Sequence, residues 1–157
     1  MDFISTRGQS PAVDSAQAVL SGLAPDGGLY MPRAIPAFDW QHCLTLSAQQ
    51  MSAAILSALL PEIPNMEALV KRAYTGKFET EDLTPTVPVG DFQVLELFRG
   101  PTSAFKDVAL SMLPQLLTAA KQEKGIAQEI RILTATSGDT GKAALVGFQD
   151  VPGVSIC

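Results

Sequence analysis

A lysine at the start of a predicted helix is the first group in this sequence whose position could support chemistry. Lys106 stands in the segment GPTSAFKD (100–107), after a strand predicted over 92–98 and near the start of a helix predicted over 105–124. The helix dipole disfavours a positive charge in the first turn. A function that uses the amine, such as forming an imine with an aldehyde cofactor, would explain the position. A solvated surface lysine, paired with Asp107, would explain it equally well.

A run of small and hydroxyl-bearing residues is the second candidate. The segment TATSGDTGK occupies residues 134–142, between a strand predicted over 130–134 and a helix predicted over 142–148. Backbone N–H groups, the helix dipole and the hydroxyls of Thr136, Ser137 and Thr140 could together bind a phosphate or a carboxylate. The plainer interpretation is a turn that caps a helix, and the residues alone leave both possibilities open.

The same segment is not a nucleotide P-loop, although Gly141 and Lys142 follow a strand. That motif requires glycine at position 136 and serine or threonine at position 143, where this sequence has Thr136 and Ala143. If the strands before the two candidate segments are parallel neighbours, Lys106 and the loop over 137–140 lie at the same edge of the sheet.

The elements that must position these groups fall into two regions. Nine of the eleven prolines occur up to Pro101, and Asp14, Ser47 and Asn65 are predicted to cap helices that run to about residues 22, 60 and 74. These features predict a small helical domain over 1–82. The remainder, 83–157, alternates strands and helices, with Pro114 expected to kink the long helix. This order predicts an α/β fold with a parallel sheet that continues beyond the chain, since a parallel sheet of two or three strands is rarely left uncovered.

Composition and charge narrow the class of protein. Hydrophobic residues make up 46% of the chain, which excludes intrinsic disorder, and no apolar run approaches the ~20 residues of a membrane helix. The 11 basic and 16 acidic residues give a net charge of −5 with no basic stripe, which argues against nucleic-acid binding. Two cysteines and one histidine lack metal-ligand spacing. The N-terminus does not look like a signal peptide, so we expect a cytoplasmic protein with free thiols and no metal site; its oligomeric state is not predicted.

Four blocks, in order, carry a resemblance to a known family. They are Ser5–Gly8 (STRG), Gly22–Pro32 (GLAPDGGLYMP), Leu95–Asp107 (LELFRGPTSAFKD) and Thr134–Gly141 (TATSGDTG). The chain resembles the N-terminal part of threonine synthases, pyridoxal-phosphate (PLP) enzymes of the tryptophan-synthase-β-like fold type II. The fold expected is therefore a small helical N-terminal domain followed by the beginning of a parallel-sheet PLP domain.

The resemblance implies a role for several residues. Lys106 matches the lysine that attaches covalently to the cofactor and then moves protons as general base and acid, and Phe105 matches a position that shapes the pocket. Ser137, Gly138, Asp139 and Thr140 match the loop that receives the substrate carboxylate, to which Thr136 is added. Asp139 also matches a position beside the cofactor ring, where related enzymes often have asparagine. No chemical role is assigned to residues 5–8.

The implied reaction converts O-phospho-L-homoserine and water to L-threonine and phosphate, in threonine biosynthesis. In the family, the glycine-rich loop for the cofactor phosphate and the group that faces the pyridine nitrogen lie beyond the position of Cys157, so this chain alone is expected to have little activity. Two alternatives stay open. One is a PLP lyase acting on another phosphorylated hydroxy amino acid. The other is a non-catalytic binding module, for which replacement of Lys106 would have argued.

Overall fold

The computed structural model describes residues 1–136 and 138–157. Within these residues the strands are β1 (Phe3–Ser5), β2 (Tyr30–Pro32), β3 (Thr86–Val89), β4 (Phe92–Leu95), β5 (Ile130–Ile132) and β6 (Val154–Ile156). The helices are α1 (Ser15–Ser21), α2 (Trp40–Cys43), α3 (Ala48–Leu59), α4 (Met66–Tyr74), α5 (Asp107–Glu123) and α6 (Asp139–Phe148). In the part of the chain that the structure describes, no helix is both long and apolar enough to cross a membrane.

The N-terminal helices begin where their caps predict. The Asp14 carboxylate accepts a hydrogen bond from the Gln17 N–H, and Ser47 and Gln50 form a reciprocal capping box at the start of α3. Helix α4 has the predicted bounds, but its cap differs from the prediction. Asn65 has a left-handed backbone with φ of 57° and makes no side-chain capping bond, so its role is to turn the chain into the helix.

Helix α5 is the centre of the packing. Its buried residues Met112, Leu116 and Ala120 share one core with residues of α1, α3 and α4, and its other side packs against α6. Pro114 lies buried within the helix, and the predicted kink there stays a prediction. The core therefore runs across residues 82 and 83, where the sequence pattern predicts a domain boundary, and the division into 1–82 and 83–157 also stays a prediction.

Among the described residues the strands form three separate pairs, and this corrects part of the predicted topology. Strands β5 and β6 are parallel, with Ile130 opposite Val154. The strand predicted over 92–98 is instead the second arm of an antiparallel hairpin with β3, in which Val89 lies opposite Phe92. A two-residue loop joins the arms, and its first residue, Gly90, has φ of 59°. Such a loop is a recognised hairpin signal, which the interpretation of this segment as a parallel strand overlooked.

Helix α6 also starts earlier than predicted and packs closely on α5 at Gly147. It begins at Asp139 rather than Lys142, so the segment predicted as a loop already contains the first helical turn. At Gly147 the helix backbone packs directly on α5: a Cβ added there would lie 2.1 Å from the Leu110 carbonyl oxygen. Only glycine permits this approach, which sets the distance between the two helices.

We expect Gly147→Ala to destabilise the fold by about 1–3 kcal/mol, because a methyl group there must push α6 away from α5. The measurement is urea-induced unfolding followed by circular dichroism. Val146→Ala, which changes a partly exposed neighbour on the same helix, is the control and should alter the free energy of unfolding by no more than about 0.5 kcal/mol. Equal effects of the two substitutions would contradict the close-packing interpretation.

Candidate functional site

The turn before α5 is closed by a buried carboxylate. Asp107, the first residue of the helix, is only 2% exposed. One of its oxygens accepts a hydrogen bond from the Thr102 N–H at 2.8 Å, and the other accepts one from the Thr102 hydroxyl at 2.6 Å. Both oxygens are thus bound by a neighbour five residues away. The surface pair of Lys106 with Asp107, considered from the sequence, is absent among the described residues.

Lys106 is the last residue before α5 and is partly buried. Its Nζ lies 4.2 Å from the centre of the Phe105 ring, a cation–π distance, and that ring is 62% exposed. Within residues 1–136 and 138–157, no carboxylate oxygen lies within 4.0 Å of this amine. The amine therefore lies against a neutral aromatic ring and not in an ion pair among the described residues.

The second candidate segment lines an open groove of about 550 Å³ at the N-terminus of α6. The residues around the groove are Thr134, Thr136, Gly138, Asp139, Gly141, Lys142, Leu145 and Cys157. The Gly138 N–H donates to the Thr136 hydroxyl at 3.4 Å, and a Cβ on Gly141 would lie 2.2 Å from a methyl carbon of Thr136. Thr136 therefore packs over the first turn of the helix, which is possible only because residue 141 is glycine.

The structure brings some of the predicted site residues together and leaves others apart. Thr136, Gly138 and Asp139 share the groove, whereas Thr140 and Lys106 are not among its lining residues. Asp139 and Thr140 lie in the first helical turn rather than in a loop. The prediction for Ser137 lies outside the described residues.

Lys142 links the two candidate segments. The Lys142 Nζ donates a hydrogen bond to the Thr102 carbonyl oxygen at 3.3 Å and also lines the groove. Thr102 thus contacts both α6, through Lys142, and the start of α5, through Asp107. Sequence reasoning considered Lys142 only as part of a P-loop and gave Thr102 no role. A threonine five residues before a helix-initiating aspartate was the only local signal available.

The groove offers binding groups of both charges. Lys142 supplies a cation, the first turn of α6 supplies N–H groups with a positive dipole end, and Asp139 supplies a carboxylate at the same turn. These groups suit a small ligand that carries an anionic group.

The two N-terminal blocks, residues 5–8 and 22–32, form a junction of their own. The Asp26 carboxylate accepts hydrogen bonds from the Ser5 hydroxyl (2.7 Å), the Gly28 N–H (2.9 Å) and the Gln9 N–H (3.0 Å). These bonds, the one from Ser5 foremost, lower the pKa of Asp26 to about 2. A Cβ on Gly28 would lie 2.1 Å from the Ser5 hydroxyl oxygen. The blocks therefore fit one another, and their contacts account for these residue types without any chemical role.

We expect Asp26→Asn to lower the melting temperature at neutral pH, because an amide cannot accept all three hydrogen bonds. Since the pKa of Asp26 falls from an ordinary 3.8 to about 2 on folding, its ionised form stabilises the fold above about pH 4. That contribution is lost as the pH falls from about 4 to about 2. The difference in melting temperature between parent and variant should shrink across the same range. Asp91→Asn, in the exposed hairpin loop, should show no such trend; a constant difference for Asp26→Asn would contradict the assignment.

The amino-acid sequence of this chain is similar to those of known proteins. The family described as "Threonine synthase N terminus" matches residues 2–74. The threonine synthase of Methylobacillus glycogenes is 38% identical over 170 residues, covering 99% of this chain and 35% of that protein. Threonine synthase-like 2 of Xenopus laevis is 39% identical over 153 residues, covering 92% of this chain and 32% of that protein.

A solved structure agrees with the sequence relatives. The crystal structure of PLP-bound threonine synthase from Brucella melitensis superposes with a TM-score of 0.89 at 38% identity, covering 99% of this chain and 34% of that one. The chain thus spans about a third of the length of the relatives it matches. The resemblance predicted from the four blocks is confirmed: this is a mixed α/β chain similar throughout to the N-terminal third of threonine synthases, and residues 2–74 match the N-terminal family of those enzymes.

Proposed function

We propose that this chain is the N-terminal part of a threonine synthase, which converts O-phospho-L-homoserine and water to L-threonine and phosphate with PLP. One observation carries the proposal. In a chain similar throughout to those enzymes, the Lys106 amine has no carboxylate partner among the described residues, and its turn is joined by the Thr102–Lys142 contact to a polar groove. The Thr102–Lys142 contact supports a cofactor on Lys106 with the groove as the neighbouring substrate site, since imine formation requires an available primary amine.

The chemistry of the donor set fits PLP. Imine formation with an aldehyde needs a primary amine, and Lys106 supplies one that no carboxylate oxygen approaches within 4.0 Å among the described residues. When bound, PLP supplies an electron sink that stabilises negative charge at the substrate's reacting carbons. We propose that Lys106 holds the cofactor covalently, that Phe105 shapes the pocket next to it, and that Asp139 lies beside the cofactor ring.

We further propose how the chain's own residues act on the substrate. Lys106, as a flexible amine, moves protons at the Cα and Cβ atoms as general base and acid. The substrate carboxylate is received by the segment that follows β5, through the residues Thr136, Ser137, Gly138, Asp139 and Thr140. The hydroxyls and the N-terminus of α6 are suited to that task because they donate hydrogen bonds towards a negative charge.

The complete activity requires more protein than these residues provide. We propose that the groups for the cofactor phosphate and the pyridine nitrogen come from outside this segment and that the segment alone turns over little substrate. Leu133 is 78% exposed at the end of β5, and Leu145 is exposed beside the groove, which supports a further layer of protein over this parallel pair. We keep as proposals the division into an N-terminal module (1–82) and the first part of the PLP domain (83–157), and a cytoplasmic location.

A second function is supported by the relatives themselves, since some of the similar proteins are named threonine synthase-like 2. Under this alternative, the same residues serve a PLP lyase that acts on another phosphorylated hydroxy amino acid. Lys106 would have the same role in both cases. The two functions are therefore distinguished by substrate and product and not by the site residues described here.

The first test is covalent trapping in the PLP-loaded protein that carries this segment. After borohydride reduction and proteolysis, mass spectrometry should find the pyridoxyl group on Lys106. Lys106→Ala should abolish the label and lower kcat by about 10²–10⁴-fold, the contribution typical of proton transfer by a positioned group. Lys77→Ala, at an exposed lysine after α4, is the control and should retain both label and activity. Label spread over several surface lysines would contradict the proposal.

The second test separates the two candidate functions by their products. With O-phospho-L-homoserine as substrate, we expect equal amounts of L-threonine and phosphate, measured by chromatography and a colorimetric phosphate assay. No turnover of this compound, together with phosphate release from another phosphorylated hydroxy amino acid, would favour the lyase alternative.

A further inference from the structure

Asp107 is a buried charged residue that the proposed chemistry leaves unused. It is 2% exposed, and among the described residues no lysine or arginine nitrogen lies within 4.0 Å of its oxygens. Burial of a carboxylate without a cation costs free energy unless hydrogen bonds compensate. Among the described residues, Thr102 supplies this compensation through its N–H and its hydroxyl. The buried Asp107 carboxylate therefore depends on its two directional hydrogen bonds to Thr102.

The backbone between these two residues is shaped around their contact. A Cβ on Gly100 would lie 2.5 Å from both the Cβ and a carboxylate oxygen of Asp107, so only glycine leaves room for the carboxylate. Ser103 has a left-handed backbone with φ of 60°, which non-glycine residues seldom adopt. The Thr102–Asp107 contact therefore closes a turn that local backbone preference alone would not select.

Lys106 lies inside this closed turn, directly before Asp107. The two hydrogen bonds between Thr102 and Asp107, the Thr102–Asp107 clamp, thus fix the backbone from which the Lys106 side chain extends. Through its carbonyl oxygen, the same Thr102 accepts the hydrogen bond from Lys142, which lines the groove. Thr102 thereby connects the turn over residues 100–107 that carries Lys106, the lysine turn, to both α5 and α6.

We propose that Thr102 and Asp107 are a positioning pair for Lys106, which together hold its amine at the distance from the groove that cofactor attachment and proton transfer require. The inference rests on the proposed function. Neither residue is assigned contact with cofactor or substrate, so both act through Lys106. The competing interpretation is purely structural: Asp107 merely favours the start of α5 by its position at the positive end of the helix dipole.

The test compares three substitutions in the PLP-dependent protein that carries this segment. Thr102→Val removes the hydroxyl while keeping the shape and the N–H, Thr102→Ser keeps the hydroxyl, and Asp107→Asn keeps the side-chain shape but loses one acceptor. The matched control is Thr118→Val, because the Thr118 hydroxyl also makes a 2.6 Å hydrogen bond, to the Pro114 carbonyl oxygen of the same helix. The control removes a comparable bond at a position well along α5 from Lys106.

We expect Thr102→Val to lower kcat about 10²-fold, the loss typical of misplacing a reacting group by about 1 Å, with a smaller change in KM. It should slow attachment of PLP to Lys106 in the apoprotein, measured by borohydride trapping over time. Hydrogen exchange in the apoprotein should become faster in the peptide over 100–107. Thr102→Ser should keep kcat and the attachment rate close to those of the parent. Asp107→Asn should give values between those of Thr102→Val and Thr102→Ser. Thr118→Val should match the parent in attachment rate.

The outcomes separate this inference from the proposed function. If the unchanged protein carries no label on Lys106, the proposed function is wrong and the inference falls with it. If Lys106 is labelled normally in the parent but attachment and kcat are unchanged in both Thr102→Val and Asp107→Asn, the inference alone is overturned. If Thr102→Val does not fold, Asp107→Asn decides by the same attachment rate. Faster hydrogen exchange without slower attachment would likewise overturn the inference, because it indicates a purely structural clamp.

Discussion

The close approach of α6 to α5 at Gly147 is the constraint on which the candidate site depends. Because a hydrogen replaces a side chain there, the helix backbone lies directly against the Leu110 carbonyl oxygen. Leu110 is one helical turn after Lys106, and its N–H donates to the Lys106 carbonyl oxygen. The contact therefore sets how far the lysine turn lies from the groove at the start of α6. If the two helices were further apart, the Lys142 amine would not be held within hydrogen-bonding distance of the Thr102 carbonyl oxygen.

Paired carboxylates and hydroxyls recur as the means of joining segments of this fold. Asp26 accepts from Ser5, Asp107 from Thr102 and Glu62 from Ser15, and in each case the same carboxylate also accepts a hydrogen bond from a backbone N–H. Such a pair satisfies the carboxylate with directional hydrogen bonds. Glu62 also forms an ion pair with the N-terminal ammonium of Met1, whereas the buried Asp107 has no cation within 4.0 Å among the described residues. Two of the pairs lie within the blocks that carry the family resemblance, which gives those blocks a physical reason for their composition.

Different parts of α5 serve the core and the candidate site. The middle of the helix packs in the core through Met112, Leu116 and Ala120, while its first residue, Asp107, holds the lysine turn through Thr102. The groove side, in contrast, keeps Leu133 and Leu145 exposed. A chain that spans about a third of its relatives' length thus presents a well-packed support on one side and an open, polar and apolar face on the other.

The amino-acid sequence by itself determined the local features: the helices that follow Asp14 and Ser47, the end of α5 near Gly125, and the order of the four blocks. These depend on capping bonds and side-chain periodicity within a few residues, which a sequence displays directly. Only the tertiary structure decided that the 92–98 segment folds back on β3, that Asp107 turns inward to Thr102, and that Lys142 reaches across to the lysine turn. Those outcomes depend on which surfaces are buried together. A buried carboxylate or amine is stable only where a hydrogen-bonding partner lies close to it in the folded chain.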